Sequence, residues 1–452
     1  MLERKFFINI PNKCFTSFNL NFCISNRKLN IIYYLIDLPV FIFAKSTLNS
    51  NYSGFGATRY LYLFFLWGLI SYIFGRLSSF SRYNSIFIKS FHLLINTIFS
   101  LISIFILEKI LILFLPFLQD SGKDFYLTLA IGTTIIQFLR IIISDRLRSR
   151  KKNLYFIGKQ EYFQFFKKNT KKYMKQNNIK IIHKKENIDF FIDENPSSQI
   201  IVISSEFEEI NNIELLLKSA NAKNIEILNL SDWFEKYMQK IPILNINLST
   251  EYKNIYKYQK FLRLKRFGDL ILSTLLILLT FPIIILAAIL IKIEDNGPIF
   301  YRQTRTGIFE KEILITKLRS MKINSEKNGA VWANKNDIRI TKIGKIIRKL
   351  RIDELPQLWS VLKGDMSLIG PRPERPELEK KLNLKIPNYK IRHLIKPGLS
   401  GWAQVNYPYG SSIFDSSEKL SYDLFYIRNQ SIWLDILIFF KTIKTVIRMK
   451  GL

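Results

Sequence analysis

Hydrophobic and polar positions divide the 452-residue chain into three regimes. The first holds four apolar stretches, Ile31–Ala44, Tyr60–Phe74, Phe91–Phe117 and Phe125–Ser144, interrupted by short basic or polar connections. About 20 apolar residues cross a bilayer as a helix, so four such stretches predict a four-span bundle over residues 1–150. The second regime is shorter in period. Asn153–Gly158, Gln199–Ser204 and Asn224–Leu230 are strand-like runs, and Glu161–Lys175 and Glu206–Asn221 between them have helical spacing. Strand–helix alternation predicts a small parallel-sheet, Rossmann-like α/β domain over 151–240, followed by a linker over 241–264. The third regime, 265–452, opens with an uncharged run, Ile271–Ile291, and closes with an amphipathic helix, Trp433–Val446.

Charge orients these pieces. The N-terminal tail and the segments Arg76–Lys89 and Arg140–Lys152 are basic, whereas Gln119–Asp124 is nearly neutral. The positive-inside rule then places both ends of the bundle in the cytoplasm. The run Ile271–Ile291 is long enough to cross, yet it is basic on both sides, with Lys265 and Arg266 before it and Lys292, Arg302 and Arg305 after. Pro282 stands at its middle and removes a helix hydrogen bond. A re-entrant helix–break–helix at 271–291, entering and leaving by the cytoplasmic leaflet, reconciles the two, with Thr280 available to satisfy the backbone group that Pro282 frees.

Formal charge is +31, and hydrophobic residues make up 48% of the chain. That balance suits lipid headgroups or phosphorylated substrates. Helix-turn-helix, zinc-finger and RNA-binding signatures are absent, so nucleic acid is not expected as a partner. The two cysteines and three scattered histidines form no metal or redox motif. In the middle domain the first strand–helix turn reads Gly158-Lys159-Gln160-Glu161, without the phosphate-cradling glycine series, which leaves a spacer, dimerisation or regulatory role.

The chemistry concentrates at Lys349–Arg375. Adjacent carboxylates, Asp353 and Glu354, follow a basic run and precede Pro356. This composition predicts a helix N-terminus there, where the helix dipole and nearby cations hold a carboxylate ionised. An ionised Asp can attack phosphorus and carry a phosphoryl group, and a neighbouring carboxylate can share a Mg²⁺ ion bridging phosphates. Arg372, between Pro371 and Pro373, is a rigidly presented fork for a phosphate oxygen.

The whole stretch resembles the catalytic core of the bacterial sugar transferases, the monotopic polyprenyl-phosphate hexose-1-phosphate transferases. The resemblance runs from about Lys265 to the C-terminus. It rests on Lys265-Arg266-Phe267-Gly268-Asp269, Gly297–Gln303, Lys317–Met321, Asp353–Leu358, Lys363–Ser367, Gly370–Pro373 and Lys396–Val405. Departures are Phe281 before Pro282, Ser360, and the segment Asn406–Ser412.

The resemblance implies transfer of a hexose-1-phosphate from a nucleoside diphosphate sugar, expected to be a uridine one, to polyprenyl (undecaprenyl) phosphate. Asp353 would be the nucleophile, with Glu354 beside it and both in the Mg²⁺ shell. Arg302, Lys317, Arg319, Arg348, Arg372 and Gln404 would bind the phosphates or the nucleotide sugar. The implied architecture is an integral membrane, multi-domain protein with a mainly α catalytic domain over 265–452 on the cytoplasmic face, in contact with membrane lipid and compatible with a homodimer. Its product would begin an extracellular polysaccharide. The alternative is a non-catalytic membrane scaffold that recruits a glycan-assembly complex. The sugar, the nucleotide and the polysaccharide are not legible.

Overall fold

The computed structural model describes residues 34–46, 56–74, 86–114, 123–148, 152–184, 199–204, 225–243, 259–323, 325, 337–408, 410 and 412–447. The chain forms two compact units, Met1–Leu228 and Asn229–Leu452.

In the first unit four helices, α1 (Leu38–Ser46), α2 (Gly56–Phe74), α3 (Ile86–Phe114) and α4 (Lys123–Arg148), take up the apolar stretches. Within α3 and α4, Lys89–Ile110 and Asp124–Ile143 are long and apolar enough to cross a membrane, whereas the apolar part of α2, Tyr62–Phe74, is shorter. Nine residues of α1 extend only about 14 Å, half a hydrocarbon core. A buried carboxylate inside the bundle is hydrogen-bonded, as burial in an apolar medium requires. Asp37 accepts from Trp67 Nε1 at 3.1 Å and from Gln137 Nε2 at 2.8 Å, which ties the start of α1 to α2 and α4.

The same unit carries a four-stranded sheet in the order β2-β1-β3-β4, built from β1 (Lys152–Ile157), β2 (Ile179–Lys184), β3 (Gln199–Ile203) and β4 (Glu226–Asn229). β1 pairs in parallel with both β2 and β3. A helix, α5 (Gln160–Asn177), makes the first crossover. Three of these strands match the runs read from the sequence. β2 was not anticipated, because Lys180 and His183 break its apolar pattern. The helix expected at Glu206–Asn221 lies outside the described residues.

The second unit begins before the catalytic range expected from sequence. The helical turns Leu230–Trp233 and Phe234–Met238 and the residues after them pack on it. Ile241 is buried in its main core and donates its N–H to Ser421 O at 2.9 Å. Lys240 pairs with Glu418 at 2.7 Å and Glu235 with Arg428 at 3.0 Å.

Next comes α6 (Gln259–Asp295), a single helix of 37 residues with Pro282 inside it, not two helices separated by a break. Thr280 Oγ1 donates to Leu276 O at 2.7 Å. It therefore does not replace the bond lost at Pro282, which has no N–H to donate to Leu278 O, four residues back. One face of α6 is buried, at Asp269, Ser273, Ala287 and Ile291; the other leaves Leu275, Leu278, Leu279, Phe281, Leu286 and Ile289 exposed.

A two-stranded antiparallel ribbon, β5 (Phe300–Thr306) and β6 (Glu312–Leu318), leads to α7 (Lys342–Lys349). Thr341 caps α7 by accepting from Gly344 N at 2.9 Å. A 3₁₀ turn, Ile352–Gln357, runs directly into α8 (Leu358–Lys363). Short parallel strands β7 (Ser367–Ile369) and β8 (Gly398–Ser400) then bracket α9 (Pro376–Lys385), and α10 (Trp402–Asn406), α11 (Ile413–Arg428) and α12 (Ile432–Ile447) complete the unit.

Trp402, from the Lys396–Val405 block, and Lys441, from the amphipathic C-terminal helix, make structural contacts within the unit. Trp402 is buried, stacks on Phe425 at 5.7 Å and donates Nε1–H to Gln239 O at 2.9 Å. Lys441 sits 4.1 Å over the Trp402 ring and donates to Asn406 Oδ1 at 2.7 Å, so its charge faces the protein.

Candidate active site

Asp353 and Glu354 occupy the first turn of the 3₁₀ segment. Helix α7 ends at Lys349, and Arg351 follows with φ 57°, in the left-handed region that side chains other than glycine rarely adopt. That reversal brings Arg351 NH1 to 3.6 Å from Glu354 Oε2. The two neighbouring carboxylates then face different surroundings.

Glu354 is buried and enclosed by cations. The Arg372 fork grips it bidentately, NH1 donating to Oε2 at 3.2 Å and NH2 to Oε1. Lys317 Nζ lies 3.5 Å from Oε1. Burial by itself would favour the protonated form, but Arg372, Lys317 and Arg351 outweigh it and hold the Glu354 pKa well below the usual range.

Asp353 makes no side-chain hydrogen bond or ion pair among the described residues. Burial, and then the charge of Glu354, push its pKa up to about 6; Lys317, Arg348 and Arg372 oppose the rise without cancelling it. The sequence led us to expect nearby cations to keep this carboxylate fully ionised. Lys317 and Arg372 pair with Glu354 instead. Burial likewise lowers Lys317 to about 8, against the pull of Glu354.

The ribbon places Lys317. Opposed residues of an antiparallel pair share a face and successive residues alternate. Lys317 pairs with Tyr301, and Arg302 with Thr316, so Arg302 is on the other face and exposed. Arg305 shares the Lys317 face, and Ile313 and Ile315 on that face enter the core. Arg305 donates from NH1 to Pro373 O at 3.1 Å, next to Arg372. It was absent from the residues singled out on sequence, although the two-residue period of the ribbon marks it.

The other expected site residues are dispersed. Arg348, on α7, is near enough to act electrostatically on Asp353. Arg319 is buried in an ion pair with Asp295 at the end of α6, with NH1 beside Gly297. Gln404, on α10, donates to Leu399 O at 3.4 Å, and its Oε1 is buried without a partner. Pro282 lies within α6. The cluster that the fold assembles is thus Asp353, Glu354, Lys317, Arg348, Arg351, Arg372 and Arg305.

A Mg²⁺ ion fits only part of this arrangement. Among the described residues no group of three or more His, Cys, Asp and Glu side chains is placed to hold a metal. Both Glu354 oxygens are taken by Arg372, which leaves Asp353 as the one carboxylate of the pair free to accept a cation. Mg²⁺ commonly needs only one or two protein carboxylates when phosphates and water supply the rest.

The family model described as "Bacterial sugar transferase" matches residues 258–449, which include every residue of this cluster. A UDP-N-acetylgalactosamine-undecaprenyl-phosphate N-acetylgalactosaminephosphotransferase from Aeromonas hydrophila is 48% identical over 184 residues, 41% of this chain and 44% of that protein. A UDP-glucose:undecaprenyl-phosphate glucose-1-phosphate transferase from Escherichia coli (strain K12) is 41% identical over 184 residues, 40% of this chain and 39% of that protein. The chain thus spans less than half the length of either. A shorter Bacillus subtilis protein, a putative undecaprenyl-phosphate N-acetylgalactosaminyl 1-phosphate transferase, is 49% identical over 136 residues, 30% of this chain and 76% of its own length. On the family match and on the extent of this last relative covered, the chain belongs to the bacterial sugar transferase family.

Proposed function

We propose that this protein transfers a sugar-1-phosphate from a uridine diphosphate sugar to undecaprenyl phosphate through a phosphosugar carried on Asp353. The observation that carries the reading is the division of labour in the carboxylate pair: Glu354 is locked among cations while Asp353, beside it, has no side-chain ion pair among the described residues. The relatives above are named for donors and an acceptor of these classes.

An Asp353 oxygen attacks the phosphorus bonded to the sugar. The bond from that phosphorus to the bridging oxygen breaks, and the nucleoside monophosphate leaves with that oxygen. An oxygen of the lipid phosphate then attacks the same phosphorus, and the bond to Asp353 breaks, returning the carboxylate and yielding a lipid diphosphate sugar. Arg372 and Lys317 balance charge on the phosphoryl oxygens, the main service a protein gives such a transfer, while Arg348 and Arg305 add to the positive field. Glu354 keeps Arg372 and Lys317 in place between turnovers. When bound with the donor, Mg²⁺ would neutralise the diphosphate, with Asp353 as the protein ligand.

The reading also seats α6 in the cytoplasmic leaflet without crossing it. Asp269 Oδ1 accepts from Leu368 N at 3.1 Å, and Glu294 Oε1 from Lys342 N at 2.7 Å. These acids are about 37 Å apart along a straight helix, yet both bind the same unit. A full crossing would separate them by the hydrocarbon core, whereas a helix resting one face on the unit and the other in lipid does not. The N-terminal helices are read as spans with both ends cytoplasmic, and the product as the first lipid-linked intermediate of an extracellular polysaccharide.

The test is nucleoside monophosphate release from membranes containing the full chain, undecaprenyl phosphate, Mg²⁺ and a panel of UDP-sugars. Release that disappears in Asp353→Asn is the expected result. Near-normal turnover by Asp353→Asn would remove the covalent role, and silence of the folded wild type across the panel would favour a scaffold.

A further inference from the structure

Resting on that reading, we propose that Arg392, anchored by Asp423 and Tyr389, is a positioning residue that fixes the backbone of Arg372 and so the location of its guanidinium in the site. Arg392 NH2 donates to Arg372 O at 2.8 Å and to Asp423 Oδ2 at 3.1 Å, and NH1 donates to the Tyr389 hydroxyl. Arg392, Asp423 and Tyr389 are all buried. They come from α11 and from the 3₁₀ segment Tyr389–Leu394, neither of which supplies a group to the cluster around Asp353.

The segment being held has little means of holding itself. Pro371 and Pro373 have no N–H to offer, so Gly370–Glu374 is secured largely through its carbonyls. Pro371 O accepts from Gly398 N at 2.8 Å, Pro373 O from Arg305 NH1 at 3.1 Å, and Glu374 O from Thr306 N at 2.9 Å. Arg392 completes the series at Arg372 itself. Placing a guanidinium here costs desolvation that an apolar side chain would avoid, and Arg392 Nε is left buried without a partner. A core residue selected for stability alone would not need that arrangement. What the charge secures is one carbonyl, and that carbonyl belongs to the residue gripping Glu354. A relay thus runs from Asp423 through Arg392 to Arg372 and on to Glu354.

Arg392→Lys keeps the charge but loses the fork, so it cannot hold Asp423, Tyr389 and Arg372 O together. Two readouts on the full chain decide. Amide hydrogen exchange over residues 368–375 should be faster in Arg392→Lys, with exchange in α6 unchanged. Nucleoside monophosphate release should lose about tenfold to a hundredfold in kcat, the scale of a small misplacement, with donor KM nearly constant. Leu424→Ala serves as the comparison, because Leu424 is fully buried in the same helix as Asp423 and its apolar side chain can make no hydrogen bond to Arg372. It should lower thermal stability while leaving exchange over 368–375 and the kcat of the folded protein at wild-type values.

Wild-type exchange and kcat in folded Arg392→Lys would overturn the proposal, as would Leu424→Ala reproducing both effects at equal loss of stability. If Arg392→Lys does not fold, Tyr389→Phe, which removes only the hydroxyl, decides in its place: faster exchange over 368–375 supports the proposal and unchanged exchange overturns it. A wild type that releases no nucleoside monophosphate from any donor defeats the transferase reading, and the exchange comparison then still decides whether Arg392 fixes the Arg372 backbone.

Discussion

Replacing Asp353 by Asn should make the protein more stable while abolishing transfer. The carboxyl titrates at about 6 in the fold instead of 3.8, because burial and Glu354 both oppose its charge. Carrying that charge at neutral pH therefore costs ~3 kcal/mol. Asp353 retains some contact with solvent, which reduces the figure to ~1–2 kcal/mol. The sign follows from linkage. Below the unfolded pKa both states are protonated and nothing is lost. Stability then falls as pH rises toward about 6, and above that the whole cost is present. Asn stands in for the neutral form at every pH, and since no side-chain bond to Asp353 is lost, little offsets the gain. The assay is thermal unfolding of detergent-solubilised wild type and Asp353→Asn at pH 4.5 and 7.5. Because pH 4.5 already lies above the unfolded value of 3.8, the variant should exceed the wild type slightly there and by clearly more at pH 7.5. Equal stability at both, or a less stable variant at pH 7.5, would refute the claim that the fold leaves this carboxylate uncompensated.

Glu354→Gln should act in the opposite direction, losing ~2–3 kcal/mol at neutral pH, since it strands Arg372, Lys317 and Arg351 without their shared anion; the same unfolding assay reads it, and a gain in stability would contradict the electrostatic account. The donor kcat/KM of the wild type should rise through pH about 6 as Asp353 ionises and fall above about 8 as Lys317 loses its proton, so a profile flat from 5 to 9 would detach both groups from the reaction. Gly344→Ala places a Cβ at 2.1 Å from Ser320 O and should destabilise by ~1–3 kcal/mol while disturbing the helix that carries Arg348; wild-type melting would show that α7 shifts freely. Single cysteines at Lys265 and Asn296, at the two ends of α6, should react with an impermeant thiol reagent from the cytoplasmic side only in oriented vesicles, and labelling of one from each side would make α6 a crossing span.

Much of the site was legible because it is contiguous. Asp353, Glu354 and Arg372 lie within 20 residues, and local chemistry predicts a turn with acids at its start, which the 3₁₀ segment provides. Lys317 was also found, through the resemblance of its surrounding segment. Arg305 was passed over and Arg302 included because the two differ by register alone. Choosing between them requires knowing which face of a two-stranded ribbon enters the core, and the partner strand decides that.

The sequence by itself determined the order of membrane, α/β and catalytic regions, since hydrophobic periodicity and basic flanks are local properties that survive without a fold. It also singled out the carboxylate pair Asp353 and Glu354, because adjacency along the chain is enough to place two carboxylates together. Only the tertiary structure decided how charge is divided between them. Arg372, Lys317 and Arg351 converge on Glu354 from three elements, and Asp353 is left to burial. Trp402 and Lys441 became core partners for the same reason. Electrostatic and stacking energies depend on distances across the fold, and composition does not specify those distances.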